Sequence, residues 1–124
     1  MSDKGDRAAL GGEMFERVMG YERPQQEGNP LSEAARDFVF SEVWSRPGLD
    51  TRSRYWITLA CICAARAPMP IRLYMQATLD SGLITEAELE EFFLQFACYQ
   101  GFPKAAEAQQ ILRQVLNERA AASG

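Results

Sequence analysis

The 124-residue sequence predicts an all-α protein of about six helices. Apolar residues recur at helical spacing in several segments, and residues that begin or end helices stand between those segments. Strand signals are nearly absent, because no alternating β-branched run is bounded by an Asn-Gly or Asp-Gly turn. The length suits one hydrophobic core, so residues 1–124 are predicted to form a single domain.

The first predicted helix covers about residues 6–19, and a polar linker over residues 20–30 follows it. A pair of adjacent glycines weakens this helix, since glycine has a low helix propensity. The linker is rich in residues that form turns. Asn29 suits the N-cap of a second helix with Pro30 in its first turn, and that helix is predicted over residues 31–44.

The third predicted helix contains the run YWITLACICAA, residues 55–65, and Asp50 is a good N-cap for it. This run is apolar around most of its circumference, with Thr58 as its one clear polar residue. We therefore expect the helix to be buried on several sides. Pro68 and Pro70 are expected to end it.

The fourth predicted helix covers about residues 70–81 and is stopped by Gly82. Thr85 and Glu88 have the spacing of a capping box, which opens a fifth helix, and Gly101 separates that helix from a sixth. The apolar positions of these last two helices are Leu89, Phe92, Phe93, Phe96, Ala108, Ile111, Leu112, Val115 and Leu116.

Composition excludes several classes of function. Hydrophobic residues make up 47% and charged residues 24%, which is typical of a globular domain, and the net charge of −4 offers no basic surface for nucleic acid. The N-terminal residues lack the apolar run of a secretory signal, and the longest apolar run is shorter than the roughly 18 residues of a membrane span. We expect a soluble, cytoplasmic protein that binds neither nucleic acid nor a membrane.

The numbers of cysteine and histidine residues exclude further kinds of catalytic and metal site. The three cysteines are an odd number, which disfavours a disulfide framework. Cys61 and Cys63 point to different sides of a helix, so they cannot share a metal ion and are expected to be small buried hydrophobes. The chain has no histidine, which excludes histidine catalysis and ordinary histidine metal sites. We predict no metal ion and no cofactor.

The stretch EVWSRPGLDTRSRYW, residues 42–56, combines a turn with a possible pocket. Proline, glycine and aspartate in its RPGLD segment are explained by the turn alone. Arg46 and Arg54 flank that turn near aromatic rings such as Trp44, and guanidinium groups bind planar anions in such settings. The alternative is that both arginines are simply solvated. Glu42 is expected to carry protons if its surroundings are apolar, and otherwise to pair an arginine.

Four segments together carry a family resemblance. They read E-V-W-S-R-P-G-L-D at 42–50, R-x-x-T-L-A at 54–60 with one residue of slack, A-T-L-x-x-G-L at 77–83 and Q-x-A-x-Y-x-G-x-P at 95–103. In combination they resemble the carboxymuconolactone decarboxylase family over roughly residues 30–118, which we take as the core of the domain. Residues 1–5 and 120–124 are then expected to be flexible tails.

The resemblance implies the all-α fold of alkylhydroperoxidase D relatives. It also implies a homo-oligomer, with a hexamer expected and a trimer or dimer as alternatives, and sites between helices near subunit contacts. An oligomer is favoured independently by the residues, because helix 55–65 and a fifth helix with three phenylalanines present more apolar surface than a monomer of this size hides.

The sequence departs from the family pattern at three positions. Where peroxidatic relatives carry a C-x-x-C pair and a histidine, this chain has Ala67, Pro70 and Tyr74. We therefore expect neither peroxidase nor thiol reductase activity. Decarboxylase relatives usually keep the histidine at the position of Tyr74, so decarboxylation here would need a tyrosine in that role. A phenol can donate to an enolate, although it is a poor base with a reference pKa of about 10.

Two functions remain open. The first is a cofactor-independent lyase or isomerase acting on a small cyclic carboxylated substrate such as a lactone or enol. The second is a non-catalytic small-molecule-binding or assembly protein. For the first, the resemblance and side-chain chemistry indicate Glu42, Tyr74 and Tyr55 as catalytic residues and Trp44, Arg46, Arg54 and Tyr99 as substrate-binding residues, most of them around one cavity. The alternative for each tyrosine is a core aromatic residue with a satisfied hydroxyl.

Overall fold

A computed structural model describes residues 4–24 and 26–123. Within these residues the chain forms six α-helices and one π-helical segment, and it contains no strand. The elements are α1 Lys4–Met19, α2 Pro30–Ala34, the π segment Ala35–Val43, α3 Thr51–Ala64, α4 Pro68–Ser81, α5 Glu86–Gln100 and α6 Phe102–Ser123. The predicted all-α class with about six helices is therefore confirmed.

The capping residues identified in the sequence predicted most helix ends correctly. The side chains of Asn29 and Asp50 accept backbone N–H groups three residues further on, at 3.1 and 2.7 Å. Gly82 has the left-handed φ of 73° at the end of α4. Thr85 and Glu88 form the predicted capping box, in which each side chain accepts the other residue's backbone N–H at 3.0–3.1 Å. These caps depend on side chains within one turn, which is why sequence alone could place them.

Two helices differ from the prediction. Helix α4 begins at Pro68 and includes Pro70, because the first turn of a helix has N–H groups without helical partners and so tolerates proline. The second helix is α-helical only to Ala34, after which its hydrogen bonds widen to the π pattern. The N–H of Trp44, for example, donates to the carbonyl of Val39, five residues back, at 2.9 Å. An apolar pattern does not distinguish these two kinds of helix.

The described residues up to Arg54 form one compact unit, in which α1 packs on the π segment. Gly11 makes this packing close, because a Cβ at this position would overlap the backbone of Arg36. The rings of Phe15 and Phe40 meet edge to face at 5.0 Å, and Phe40 is stacked on Trp44 at 6.4 Å. This chain of aromatic rings forms the apolar centre of the first unit.

The residues from Tyr55 onward form a second compact unit. In this unit α6 packs on both α4 and α5. The ring of Trp56 in α3 is stacked on Phe92 in α5 at 5.6 Å. The fully buried side chains include Leu59, Met75, Leu89, Leu112 and Val115. Ion pairs such as Arg119–Asp80 at 2.6 Å lie at the exposed edge between α6 and α4, where they contribute little to stability compared with this core.

The single domain over residues 1–124, with its core at 30–118, stays a prediction. Of the predicted tails, residues 1–3 and 124 lie outside the described residues. Residues 4 and 5 belong to α1, and residues 120–123 belong to α6. In the part of the chain that the structure describes, no helix is both long enough and apolar enough to cross a bilayer.

Candidate functional site

The turn between the π segment and α3, residues 46–50, is held closed by Arg54. The Nε of Arg54 donates to the carbonyl of Leu49 at 3.2 Å, and its Nη2 donates to the carbonyl of Arg46 at 3.1 Å. These bonds give partners to two backbone carbonyl groups of the turn, which lie outside the helices on either side. Arg54 therefore has a structural role in this turn, which the sequence motif alone did not indicate.

Arg46 and Trp44 have contrasting environments. Arg46 is exposed on the turn, so its guanidinium group can meet an anion from solvent. Trp44 is only 7% exposed and is stacked on Phe40 with 13° between the ring planes. The ring of Trp44 thus belongs to the core of the first unit. Arg46 is the predicted residue of this unit that is best placed to bind a carboxylate.

Glu42 lies on the π segment and forms an ion pair with Arg7 of α1. The guanidinium of Arg7 also donates to the carbonyl of Asp37 at 3.3 Å. The Glu42 side chain is 50% exposed. Its surroundings are therefore polar and half-exposed, which matches the arginine-paired alternative and lacks the apolar setting that a proton carrier would need. Sequence reasoning missed Arg7, because 35 residues separate the pair and no local signal links them.

Tyr55 is fully buried in the second unit. Burial raises the pKa of Tyr55, while a hydrogen bond with Ser81 acts in the opposite direction. The hydroxyl of Ser81 also donates to the carbonyl of Thr78 at 2.7 Å and accepts the N–H of Leu83 at 3.1 Å. Tyr55 therefore matches the alternative of a core aromatic residue with a satisfied hydroxyl.

Tyr74 and Tyr99 lie on different helices of the second unit. Tyr74 is half-buried on α4, where its neighbours Ile71 and Met75 are buried. Its side chain is thus anchored while part of it stays accessible. Tyr99 on α5 is 81% exposed. Of the three predicted tyrosines, Tyr74 has the environment best suited to contacting a small molecule, because it is neither sealed in the core nor fully solvated.

The structure groups the predicted residues by unit. In the first unit Arg46 and Arg54 share one turn and are hydrogen-bonded to each other, whereas Glu42 is paired with Arg7. In the second unit the tyrosines occupy α3, α4 and α5. The prediction of one common cavity stays a prediction, as does the absence of a cofactor. Among residues 4–24 and 26–123, no three His, Cys, Asp or Glu side chains are grouped so that they could hold a metal ion.

The cysteines differ from one another in exposure. Cys63 is buried, and this burial raises the pKa of its thiol to about 12. Cys61 and Cys98 are exposed. The prediction of two small buried residues was therefore correct for Cys63 and wrong for Cys61. The helical stretch 55–65 looked apolar all round, but α3 leaves the side of Ile57 and Cys61 uncovered in the single chain.

This difference predicts the reactivity of the thiols. At pH 8 a thiol with a pKa of about 12 is ionised in roughly one part in ten thousand. Ellman's reagent should therefore label Cys63 only slowly, and the wild type and Cys63→Ser should have the same rapid phase. Cys61 and Cys98 follow Ile57 and Leu94 by one helical turn, so contact between copies of the chain through those residues would also slow their labelling. Three rapid thiols would contradict the burial of Cys63.

Comparison with known proteins places this all-helical chain in a family. The model of the carboxymuconolactone decarboxylase family matches residues 30–114. The chain is 30% identical over 109 residues to the nitrosuccinic acid decarboxylase of Metarhizium robertsii, a match that covers 88% of this chain and 74% of that protein. It is 32% identical over 81 residues to the 4-carboxymuconolactone decarboxylase of Acinetobacter baylyi, covering 65% of this chain and 60% of that protein. The chain belongs to the carboxymuconolactone decarboxylase family.

Proposed function

We propose that the protein is a cofactor-independent decarboxylase of a small carboxylated organic molecule, such as a cyclic lactone or an enol-forming acid. The observation that carries this proposal is that two relatives with different named substrates are both decarboxylases. Their common step is loss of carbon dioxide, so this step is the property most readily assigned to the present chain. A fold alone would not support the assignment, because one fold hosts several chemistries.

The proton balance of the reaction favours a tyrosine donor. When a carboxylate leaves as carbon dioxide, the bonding electron pair stays with the organic product, where a conjugated carbonyl can delocalise it, and one proton must be added to that product. The reaction thus needs a proton donor and a group that stabilises negative charge, and it needs no net base. A tyrosine phenol has a reference pKa of about 10, so it is protonated at neutral pH. Tyr74 is accessible enough to be reprotonated by water after each turnover.

Arg46 is proposed to bind a carboxylate that the substrate retains. An arginine that held the departing carboxylate would stabilise the ground state, and this would slow the loss of carbon dioxide. The exposed guanidinium of Arg46 is therefore assigned to a second carboxylate, with Arg54 holding the turn that carries it. This assignment favours substrates with at least two acidic groups.

Incubation with a substrate panel tests the proposed function. The panel contains nitrosuccinate, 4-carboxymuconolactone and related small dicarboxylates, and nuclear magnetic resonance in D₂O follows each compound. We expect one member to be consumed catalytically and to give a product that carries a deuterium from the solvent, bound to a carbon of the anion that decarboxylation leaves. Binding without consumption would instead support the non-catalytic alternative, which the ion-paired state of Glu42 and the core position of Trp44 favour.

We also propose that the protein is a homo-oligomer larger than a dimer, with a hexamer expected. Large apolar side chains of the second unit are exposed in the single chain, and they include Ile57, Leu94, Tyr99 and Phe102. Their contact with other copies would remove this apolar surface from water. Gel filtration with light scattering measures the mass directly, and a monomer at micromolar concentration would exclude the oligomer.

A further inference from the structure

A cavity lies in the second unit, between the start of α4 and the first half of α6. It has a volume of about 590 Å³, within the range of small-molecule sites. Two of its lining residues, Cys63 and Ile71, are buried and apolar and form its floor. Its mouth carries the polar side chains of Arg66, Lys104 and Glu107. None of the seven residues predicted for the catalytic site belongs to the described lining, so this cavity is independent of the proposed function.

Arg66, at the mouth of the cavity, has a left-handed backbone conformation. Its φ is 55°, and no other described non-glycine residue has a positive φ. The backbone N–H of Arg66 donates to the carbonyl of Cys63 at 3.1 Å. The backbone N–H of Ala67 donates to the carbonyl of Ile62 at 3.2 Å. This is the Schellman pattern that ends many helices, and its left-handed position is usually glycine. A left-handed φ is strained for arginine and unstrained for glycine, so the backbone does not explain why residue 66 is an arginine. A role of its side chain would explain it.

The side chain of Arg66 is held across the mouth by Glu107. Its Nε donates to one carboxylate oxygen of Glu107 at 2.7 Å, and a terminal nitrogen contacts the other oxygen. Lys104 lies one helical turn before Glu107, and its Nζ donates to the side-chain amide of Gln100 at 3.3 Å. Two cations and one carboxylate therefore surround the mouth. The local charge is positive above an apolar floor.

We propose that this cavity binds a small monocarboxylate with an apolar body, one molecule per chain. The apolar body lies against Cys63, Ile71 and Ile111, where it is removed from water. The carboxylate pairs with Lys104 and shares the guanidinium of Arg66 with Glu107. Binding is reversible and non-covalent, because the Cys63 thiol is buried in the floor and stays un-ionised at neutral pH.

Octanoate and octanamide form a matched pair of probes, since they share a chain length and differ in charge. Isothermal titration of the full-length protein should show saturable binding of octanoate, with one site per chain and a Kd of about 1 mM or lower. Octanamide should bind at least tenfold more weakly, because it loses the charge assistance of the contacts with both Lys104 and Arg66. Equal binding of the two probes, or no octanoate binding at 10 mM, would overturn the proposal.

Variants at the mouth test the charge arrangement. Lys104→Gln should weaken octanoate binding about tenfold. Glu107→Gln should strengthen it, because the substitution removes a competing carboxylate and frees the guanidinium of Arg66. Arg66→Gly should weaken it while keeping the backbone, since glycine readily adopts the observed φ. Arg113→Gln is the control, because this exposed arginine of α6 pairs with Glu90 outside the cavity.

A blocking variant tests the location of the site. Ala106 is exposed and lines the cavity, so Ala106→Trp should fill the mouth and abolish octanoate binding without disturbing the core. Unchanged binding in Ala106→Trp, or weaker binding in Glu107→Gln, would overturn the proposal. The Lys104 and Glu107 variants keep the test decisive if the tryptophan variant fails to fold.

Discussion

Tyr74→Phe should lower the turnover number on the consumed substrate by about 10²-fold or more, which is the usual scale for losing a proton donor or an oxyanion partner. The substitution removes only the phenol oxygen and keeps the ring of this half-buried residue. The helix α4 should therefore be unchanged by circular dichroism, and the measured loss should lie in kcat. Steady-state kinetics of the purified variant provides the measurement.

Two matched variants make the Tyr74 result specific. Tyr21→Phe removes a phenol oxygen from the first unit, where the ring packs edge to face on Phe15 at 5.3 Å, and it should keep full activity. Arg46→Ala should mainly raise KM, because Arg46 is assigned to substrate binding and not to proton transfer. If Tyr74→Phe retained full activity, the tyrosine would not have the proton-donor role proposed here.

Gly11→Ala should destabilise the first unit by about 2–3 kcal/mol, the cost of overpacking a close contact. A Cβ on residue 11 would lie 2.7 Å from Cγ of Arg36 and closer still to the carbonyl oxygen of Arg36. The Cγ can move, but the carbonyl belongs to the π segment, so α1 and that segment must separate. Urea unfolding should be followed by Trp44 fluorescence in a Trp56→Phe background, because Trp44 is then the one remaining tryptophan.

Gly12→Ala is the control for this effect, since it makes the same chemical change one residue further along α1. A Cβ on Gly12 would have no heavy atom within 4 Å in the described residues. Alanine is favoured over glycine inside a helix, so this variant should be more stable by about 0.5–1 kcal/mol. Equal effects of the two substitutions would show that α1 does not approach the π segment as closely as described.

The fold was largely predictable because its helix ends depend on short-range chemistry. The Thr85–Glu88 capping box and the Asp50 cap each involve side chains within one turn, and both are present. The π segment was not predictable, since it keeps an apolar pattern close to that of an α-helix. The close approach at Gly11 was also missed, because the glycine pair indicated only a weak helix and its packing partner is distant in sequence.

The sequence motifs predicted which residues belong to the candidate site. They did not predict the burial, hydrogen bonds and ion pairs of those residues. The motifs indicated the family correctly. They did not indicate that Arg54 bonds the backbone of its own turn, or that Glu42 pairs with Arg7. Tyr55 is buried and is hydrogen-bonded with Ser81, a residue that lies one helix further along the chain. Such long-range contacts decide whether a polar residue stabilises the fold or is available for binding and catalysis. A linear motif does not contain them.

Carbon dioxide release is the most direct test of the central claim, that this family member is a cofactor-independent decarboxylase. Purified protein treated with a chelator should be incubated without oxygen or added cofactor, and the released gas should be measured for each member of the substrate panel. We expect one member to give one carbon dioxide per molecule consumed, over many turnovers per chain. If the folded protein released no carbon dioxide from any panel member above the uncatalysed rate, the decarboxylase assignment would be contradicted.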